Sequence, residues 1–555
     1  MEFLDSNIDR ISIIFSCKQW YKDRDQIINL NVQTLEKNYE YYQQHSIFYF
    51  KSSILTYLNK VNYKNIKLSN FSEFERNTLN KFNSRHIKLN NLFNEKLEDH
   101  TLPKATLHLK FGYEFNQPIE LNVLPPNLKY LSFGSKFNQP LLIGSIPDGV
   151  EYLEFGDQFN QTLEVGSIPS SVKILKFGYY FNQPIIKGAI PNGVKELHTS
   201  VLFNQPIEEG VLPNSIEKLI FGWGFDQNLQ FIPKSVRRLH LGCRFHKSLI
   251  PIEDHLIETL HIYSYRIQYG AIPKSVRNLS VSSIIELPVP DFVQTLFLVD
   301  YFNQEIPVDS LPSSIRFLHF GDVYNQRMVP GSIPNGVVEI SFGNSFDKLI
   351  SHEVIPTSVR KIKFGDSFNQ NLQSNGVLPS GLNFIEFGKT FNMPISETFS
   401  HMNSIKSIKF GTNFDNSIEA SDLPDGLESL EFGEKFNHEI SQSLPATLKN
   451  LVFGNNFNQK LDQLPGKLKH LVLGKGFNQK INFSNSEIKS LVIGSVDLLQ
   501  ENQFNLPKSL RSMDITISDC KYKLRLLQNE EKLFVSNNNL VGGFISQSKF
   551  LEKFK

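Results

Sequence analysis

The sequence predicts a repeat solenoid: a parallel β-sheet with one short strand per coil of about 22 residues, closed at its N-terminal end by a small helical cap. Three observations carry this. The word Leu-x-Phe-Gly ends at Gly112, Gly134, Gly156, Gly178, Gly222, Gly321, Gly433 and Gly454, and near variants of it end at Gly343, Gly365, Gly388, Gly411, Gly474 and Gly494. Two free residues later many units continue Phe-Asn-Gln, as in Phe181-Asn182-Gln183. An Ile-Pro or Leu-Pro pair, such as Ile190-Pro191, then closes the unit.

Composition agrees with a repetitive core. Of the 555 residues 47 are Phe and only two are Trp, and most Phe fall at fixed repeat positions. The formal net charge of +1 gives no global attraction to nucleic acid or to an anionic membrane. Cys17, Cys243 and Cys520 lie far apart and fit no metal spacing, which suits a reducing, intracellular and cytoplasmic setting. The start, MEFLDSNIDR, is acidic and lacks the apolar centre of a leader, and no run of 18 apolar residues predicts a membrane span.

In chain order, residues 1–63 stand outside the repeat and predict the helical cap. Ile8, Ile11, Ile14 and Phe15, then Cys17 and Trp20, have helical spacing, with Asp5 or Ser6 available as N-cap. The repeat region spans 64–516, about 21 units. It is irregular at 250–299, where the strand words Leu260-His-Ile262, Leu279-Ser-Val281 and Leu296-Phe-Leu298 persist but the return path shortens. A shorter return predicts one continuous solenoid with a local bend there, stiffened by Pro288 and Pro290, and not two domains. Residues 517–555 form a C-terminal cap in which CKYKLRLL and KLFVSN read as strands.

Within one unit, Leu175 and Phe177 are two apart and share the inward face of a strand. Gly178 is expected to bend the chain through its backbone freedom. Phe181 and Ile185 return to the interior, and Pro191 sits in a turn or opens a short helix. This order of strand and turn is similar to a leucine-rich repeat. The Asn after the second Phe recurs at Asn116, Asn138, Asn160, Asn182, Asn204, Asn369 and Asn458, among others. Asp226, Asp347 and Asp415 replace it in some units, so the shared property is an acceptor oxygen. A structural ladder that satisfies backbone N–H groups is expected, rather than a ligand site.

Phe-Asn-Gln-Pro-Ile, spelled in full at Phe115–Ile119, Phe181–Ile185 and Phe203–Ile207, resembles the FNIP repeat family, a leucine-rich-repeat relative, over about residues 85–516. That resemblance implies an interaction scaffold without catalysis or cofactor, and many family members carry an N-terminal F-box. Asp9-Arg-Ile-Ser-Ile-Ile-Phe-Ser-Cys17-Lys18-Gln-Trp20 resembles the second half of an F-box, with only eight residues before it. Ile11, Phe15 and Trp20 would then touch the F-box-binding adaptor of a ubiquitin ligase. The other reading makes this segment a plain amphipathic cap, and the protein a structural adaptor without a ubiquitin-ligase role.

No catalytic constellation emerges. His198, His240, His261 and His319 share the outward strand column but lack accompanying carboxylates or cysteines, so surface histidines are expected rather than a metal site. Cys243, between His240 and His246, is one variable residue past a strand rather than a nucleophile. Five residues before each glycine stands a mostly basic column, including Lys129, Lys173, Lys195, Arg237, Arg316, Lys469 and Lys489. It reads as a solvated edge, or alternatively as a ridge for an acidic partner. Protein partners are expected, and no nucleic acid or membrane.

Overall fold

The computed structural model describes residues 66–68, 85–99, 101–264, 272–283, 289–299, 301–373, 377–440, 442–483, 486–495, 507, 509–517, 520–526, 532–537 and 542–546. The expected helical cap at 1–63, with Ile11, Phe15 and Trp20, lies outside the described residues. The chain divides into two compact units, Glu2–Ser280 and Val281–Lys555.

In the first unit the strands are β1 (Ile66–Leu68), β2 (His86–Leu89), β3 (His108–Lys110), β4 (Tyr130–Ser132), β5 (Tyr152–Glu154), β6 (Ile174–Lys176), β7 (Glu196–His198), β8 (Lys218–Ile220), β9 (Arg238–Leu241) and β10 (Thr259–Ile262). Each pairs in parallel with the next. Register is fixed by burial: Leu153, Leu175 and Leu197 stand opposite one another, all fully buried. A slip of one residue would turn every such leucine to solvent. The boundary between units falls within β11 (Asn278–Val281).

The second unit repeats the plan in β12 (Thr295–Leu298), β13 (Phe317–Phe320), β14 (Glu339–Ser341), β15 (Lys361–Lys363), β16 (Phe384–Glu386), β17 (Ser407–Lys409), β18 (Ser429–Glu431), β19 (Asn450–Val452), β20 (His470–Leu473), β21 (Ser490–Ile493) and β22 (Ser512–Ile517), all parallel neighbours. The direction then changes. Strands β23 (Cys520–Leu526), β24 (Lys532–Asn537) and β25 (Gly542–Ser546) add on antiparallel to β22 and to each other. Among the described residues the one helical segment is a 3₁₀ turn at Ile250–Ile252. No helix there is long and apolar enough to cross a membrane.

Two phenylalanine columns fill most coils, with Thr199, Leu241, Ile262, Val281, Leu298, Leu473 and Ile493 in place of the first ring in other coils. Phe177 stacks on Phe181 at 4.1 Å within its coil, and the two rings meet Phe155 and Phe159 of the coil before at 5.4 and 6.0 Å. Phe181 is fully buried. The return path closes on proline turns: Val172 N–H donates to Pro169 O and Val194 N–H to Pro191 O, both at 3.1 Å. Pro191 therefore opens a turn, not a helix.

One expectation is corrected. Gly178 does not adopt a left-handed conformation. A Cβ there would overlap the carbonyl of Gly156 in the preceding coil, so it is close stacking of backbones that demands glycine. The backbone freedom is used elsewhere, in the return turn, where Gly188 has φ of +88°.

Candidate interaction surface

Burial of the inward strand positions leaves two outward columns per coil, because side chains alternate along a strand. In the first unit one column runs His86, His108, Tyr130, Tyr152, Ile174, Glu196, Lys218 and Arg238. Its first four rings stack on one another, with centroid distances of 4.1 Å (His86–His108), 5.5 Å (His108–Tyr130) and 4.3 Å (Tyr130–Tyr152). Burial, with Tyr152 and Glu154 nearby, pushes the Tyr130 phenol up to about 12. The second column runs Lys88, Lys110, Ser132, Glu154, Lys176, His198, Ile220, His240 and His261.

The histidines of that column are half-buried. The His240 and His261 rings lie 3.9 Å apart, and His198 Nε2 bonds Glu196 Oε1 at 2.5 Å. Desolvation, then the neighbouring His261, drives His240 down to about 3. Burial also lowers His261 and His319. Among the described residues no group of three or more His, Cys, Asp or Glu is placed to hold a metal ion. Cys243 is a free, half-buried thiol.

In the second unit the same column alternates in sign. Lys363, Glu386, Lys409 and Glu431 stand in adjacent coils and form three ion pairs of 3.2, 3.4 and 3.3 Å. Burial alone would lower Lys409, but Glu431 and Glu386 outweigh it and raise its pKa. These side chains, with Phe364 and Gly365, flank an open groove of about 570 Å³ along β14–β19.

The basic column is also paired where acids interrupt it. Glu151 accepts from Lys129 at 3.2 Å and Lys173 at 2.6 Å, and Lys195 meets Glu217 at 3.0 Å. It is not a continuous basic ridge along the first unit.

The asparagines occupy the far end of each coil. Asn138 N–H donates to Asn116 Oδ1, Asn160 to Asn138, Asn182 to Asn160 and Asn204 to Asn182, all at 2.9 Å. In the second unit Asn369 N–H donates to Asp347 Oδ1 at 2.9 Å, and Asn458 Oδ1 accepts from Asn478 N–H at 3.0 Å. The following glutamine adds a second donor to the same oxygen, as Gln139 Nε2 does to Asn116 at 3.1 Å. These residues bond neighbouring coils to each other. A second such column escaped the sequence reading. Ser171, Ser215, Ser235, Ser314 and Ser358 each donate a hydroxyl to a carbonyl of the previous coil at 2.7 Å. Its signal is the Ser or Thr two residues after the turn proline, as in Pro169-Ser-Ser171.

These features define a leucine-rich-repeat-like parallel β-solenoid whose coils are clamped by Phe, Asn and Ser columns. The FNIP repeat matches at residues 93–136, 115–158, 159–199, 203–244, 302–345, 346–390, 391–435 and 436–476, more than half of the sequence, and the chain belongs to the FNIP repeat family. Among solved structures it is similar to CroV588, described as a novel circular LRR protein, with 31% identity and a TM-score of 0.53 over 78% of this chain and 73% of that one. No curated protein matches it.

Proposed function

We propose that the chain is a non-catalytic protein-interaction scaffold of the cell interior that recognises partners through its outward strand columns. The observation that carries this is the contrast between faces. Inward positions hold Leu or Ile in coil after coil, whereas the outward column beginning at His86 passes along the unit from imidazole to phenol to an aliphatic side chain to carboxylate to cation. The interior is occupied by fold requirements, so specificity has only the outward residues to draw on.

The finer proposal is substrate recognition for a ubiquitin ligase, through adaptor contact by Ile11, Phe15 and Trp20. It is supported by the F-box-like run at 9–20 and by membership of a family in which that pairing is common. Size-exclusion of the full chain with the purified F-box-binding adaptor tests it. Co-elution that an Ile11→Ala/Phe15→Ala/Trp20→Ala variant abolishes is the expected result. Separate elution of the wild-type chain removes the ubiquitin-ligase role and leaves a structural adaptor.

A further inference from the structure

Among the described residues, the second outward column of the first unit opens on two cations, Lys88 and Lys110, that no carboxylate neutralises. Lys67, Lys88 and Lys110 are partners in the strand register of β1, β2 and β3. Like charges directly opposite each other across strands are destabilising. In the second unit the same column avoids that cost by alternating sign from Lys363 to Glu431. Lys88 and Lys110 are exposed, and among the described residues no carboxylate lies within ion-pair distance of either. Glu154, two coils beyond Lys110, already accepts the Ser132 hydroxyl at 3.0 Å. Arg85, exposed and likewise without an ion pair, adds a third described cation beside His86.

The adjoining ladder of His86, His108, Tyr130 and Tyr152 sharpens the chemistry. Because the rings stack face on face, their faces are spent on one another. The ring edge, the electropositive rim of the quadrupole, carries ring N–H or phenol O–H groups, and the Tyr130 hydroxyl already meets a carboxylate there, Glu154 Oε2 at 3.5 Å. Bases of a single-stranded nucleic acid need open aromatic faces to stack on. An edge-on ladder does not offer them, and instead suits carboxylate oxygens. Cations recur at the strand spacing of about 4.8 Å, so a run of acidic residues in an extended chain, about 3.4 Å per residue, can engage several coils at once.

We infer that the outer sheet face of β2–β5, with Lys88 and Lys110 beside the His86–Tyr152 ladder, docks an extended, Asp/Glu-rich segment of a partner protein. This deepens the scaffold reading above and rests on it.

The test is fluorescence anisotropy on the full-length protein with labelled twelve-residue probes: oligo-Glu, oligo-Gln and oligo-U RNA. Oligo-Glu should bind at least tenfold more tightly than oligo-Gln. Lys88→Glu/Lys110→Glu should weaken it at least tenfold, and Lys88→Gln/Lys110→Gln by less. The equally charged control Lys104→Glu/Lys234→Glu, on exposed turns of the same unit, should stay within twofold of wild type. Circular dichroism of each variant checks the fold, and the Gln pair serves if the Glu pair does not fold. Equal binding of oligo-Glu and oligo-Gln overturns the inference, as does equal loss in the control. Tighter binding of oligo-U that the same lysines govern overturns it in favour of a polynucleotide. In-cell cross-linking separates this from the scaffold reading. Partners recovered equally by wild type and Lys88→Glu/Lys110→Glu sink the face assignment and leave the scaffold. No partner for wild type sinks the scaffold itself.

Discussion

Asn182→Ala and Asn182→Asp form a matched pair that isolates what the asparagine ladder contributes. Asn182 Oδ1 accepts the Asn204 N–H at 2.9 Å and the Gln205 side-chain amide at 3.2 Å. Alanine removes both bonds; aspartate keeps the acceptor, as Asp226 does toward His246 N–H at 2.8 Å. Each bond is worth about 0.5–1.5 kcal/mol net, and a buried orphan donor would cost about 1–3 kcal/mol. Asn182 is half-buried and Asn204 exposed, so water can replace the lost acceptor and the cost settles at about 1–2 kcal/mol. A repeat array need not melt in one step, which makes a local readout preferable to a midpoint. Hydrogen exchange at Asn204 is that readout. One to two kcal/mol speeds opening roughly 5–30-fold in Asn182→Ala. Asn182→Asp should stay close to wild type. Equal exchange in the two variants would refute the acceptor argument, and an Ala variant indistinguishable from wild type would remove the ladder from the account of stability.

Three further outcomes follow from the same geometry. Phe181→Ala, which empties a fully buried site between the Phe159 and Phe203 rings at 6.0 and 6.1 Å, should cost about 3–5 kcal/mol in denaturant unfolding. Loss of protection should spread to the coils on either side, and damage confined to one coil would contradict shared stacking. Gly178→Ala should destabilise more than Gly188→Ala. The first drives a Cβ into the Gly156 carbonyl, whereas the second has Val165 at 3.6 Å and meets only left-handed strain of about 1–2 kcal/mol; the reverse order would disprove the packing role. His240, held down to about 3, makes the folded state bind fewer protons than the unfolded chain. Its contribution to stability is therefore present above the unfolded value of about 6.5 and lost as pH falls toward 3. His240→Gln should flatten that acid slope, and an unchanged slope would show that other groups set it.

Much of this architecture could be read from the chain because each coil needs the same solution to the same problem. Leu175 and Phe177 mark a strand by their period of two, and register follows from repetition of Leu153, Leu175 and Leu197. Gly178 was located correctly but explained wrongly. A glycine in a sequence does not tell whether it is needed for φ or for contact, and only the position of the Gly156 carbonyl decides. The serine column was overlooked because Ser171 precedes an apolar residue in a turn, where hydroxyls are common and carry no periodic apolar signal. The basic column was legible as mostly basic, but what its acidic interruptions do was not. Glu151 between Lys129 and Lys173 is an ordinary interruption in a string, but in register it neutralises both neighbours.

Charge in a stacked protein is therefore a property of the column and not of the chain. A net charge of +1 averages away Lys88 and Lys110, just as it averages away the alternation from Lys363 to Glu431. The two runs have opposite physical consequences. Alternating signs are consumed by their neighbours, so the second unit's column contributes cohesion and offers little to a visitor. Repeated sign at the strand spacing stores mutual repulsion that an incoming anion relieves, so its binding gains both the new attraction and the relief. Such a column gains affinity only from a ligand that spans more than one coil, because a single carboxylate would neutralise one lysine and leave the other unmatched. Recognition by this face thus favours length and acidity together, a selectivity that no individual residue of the repeat possesses.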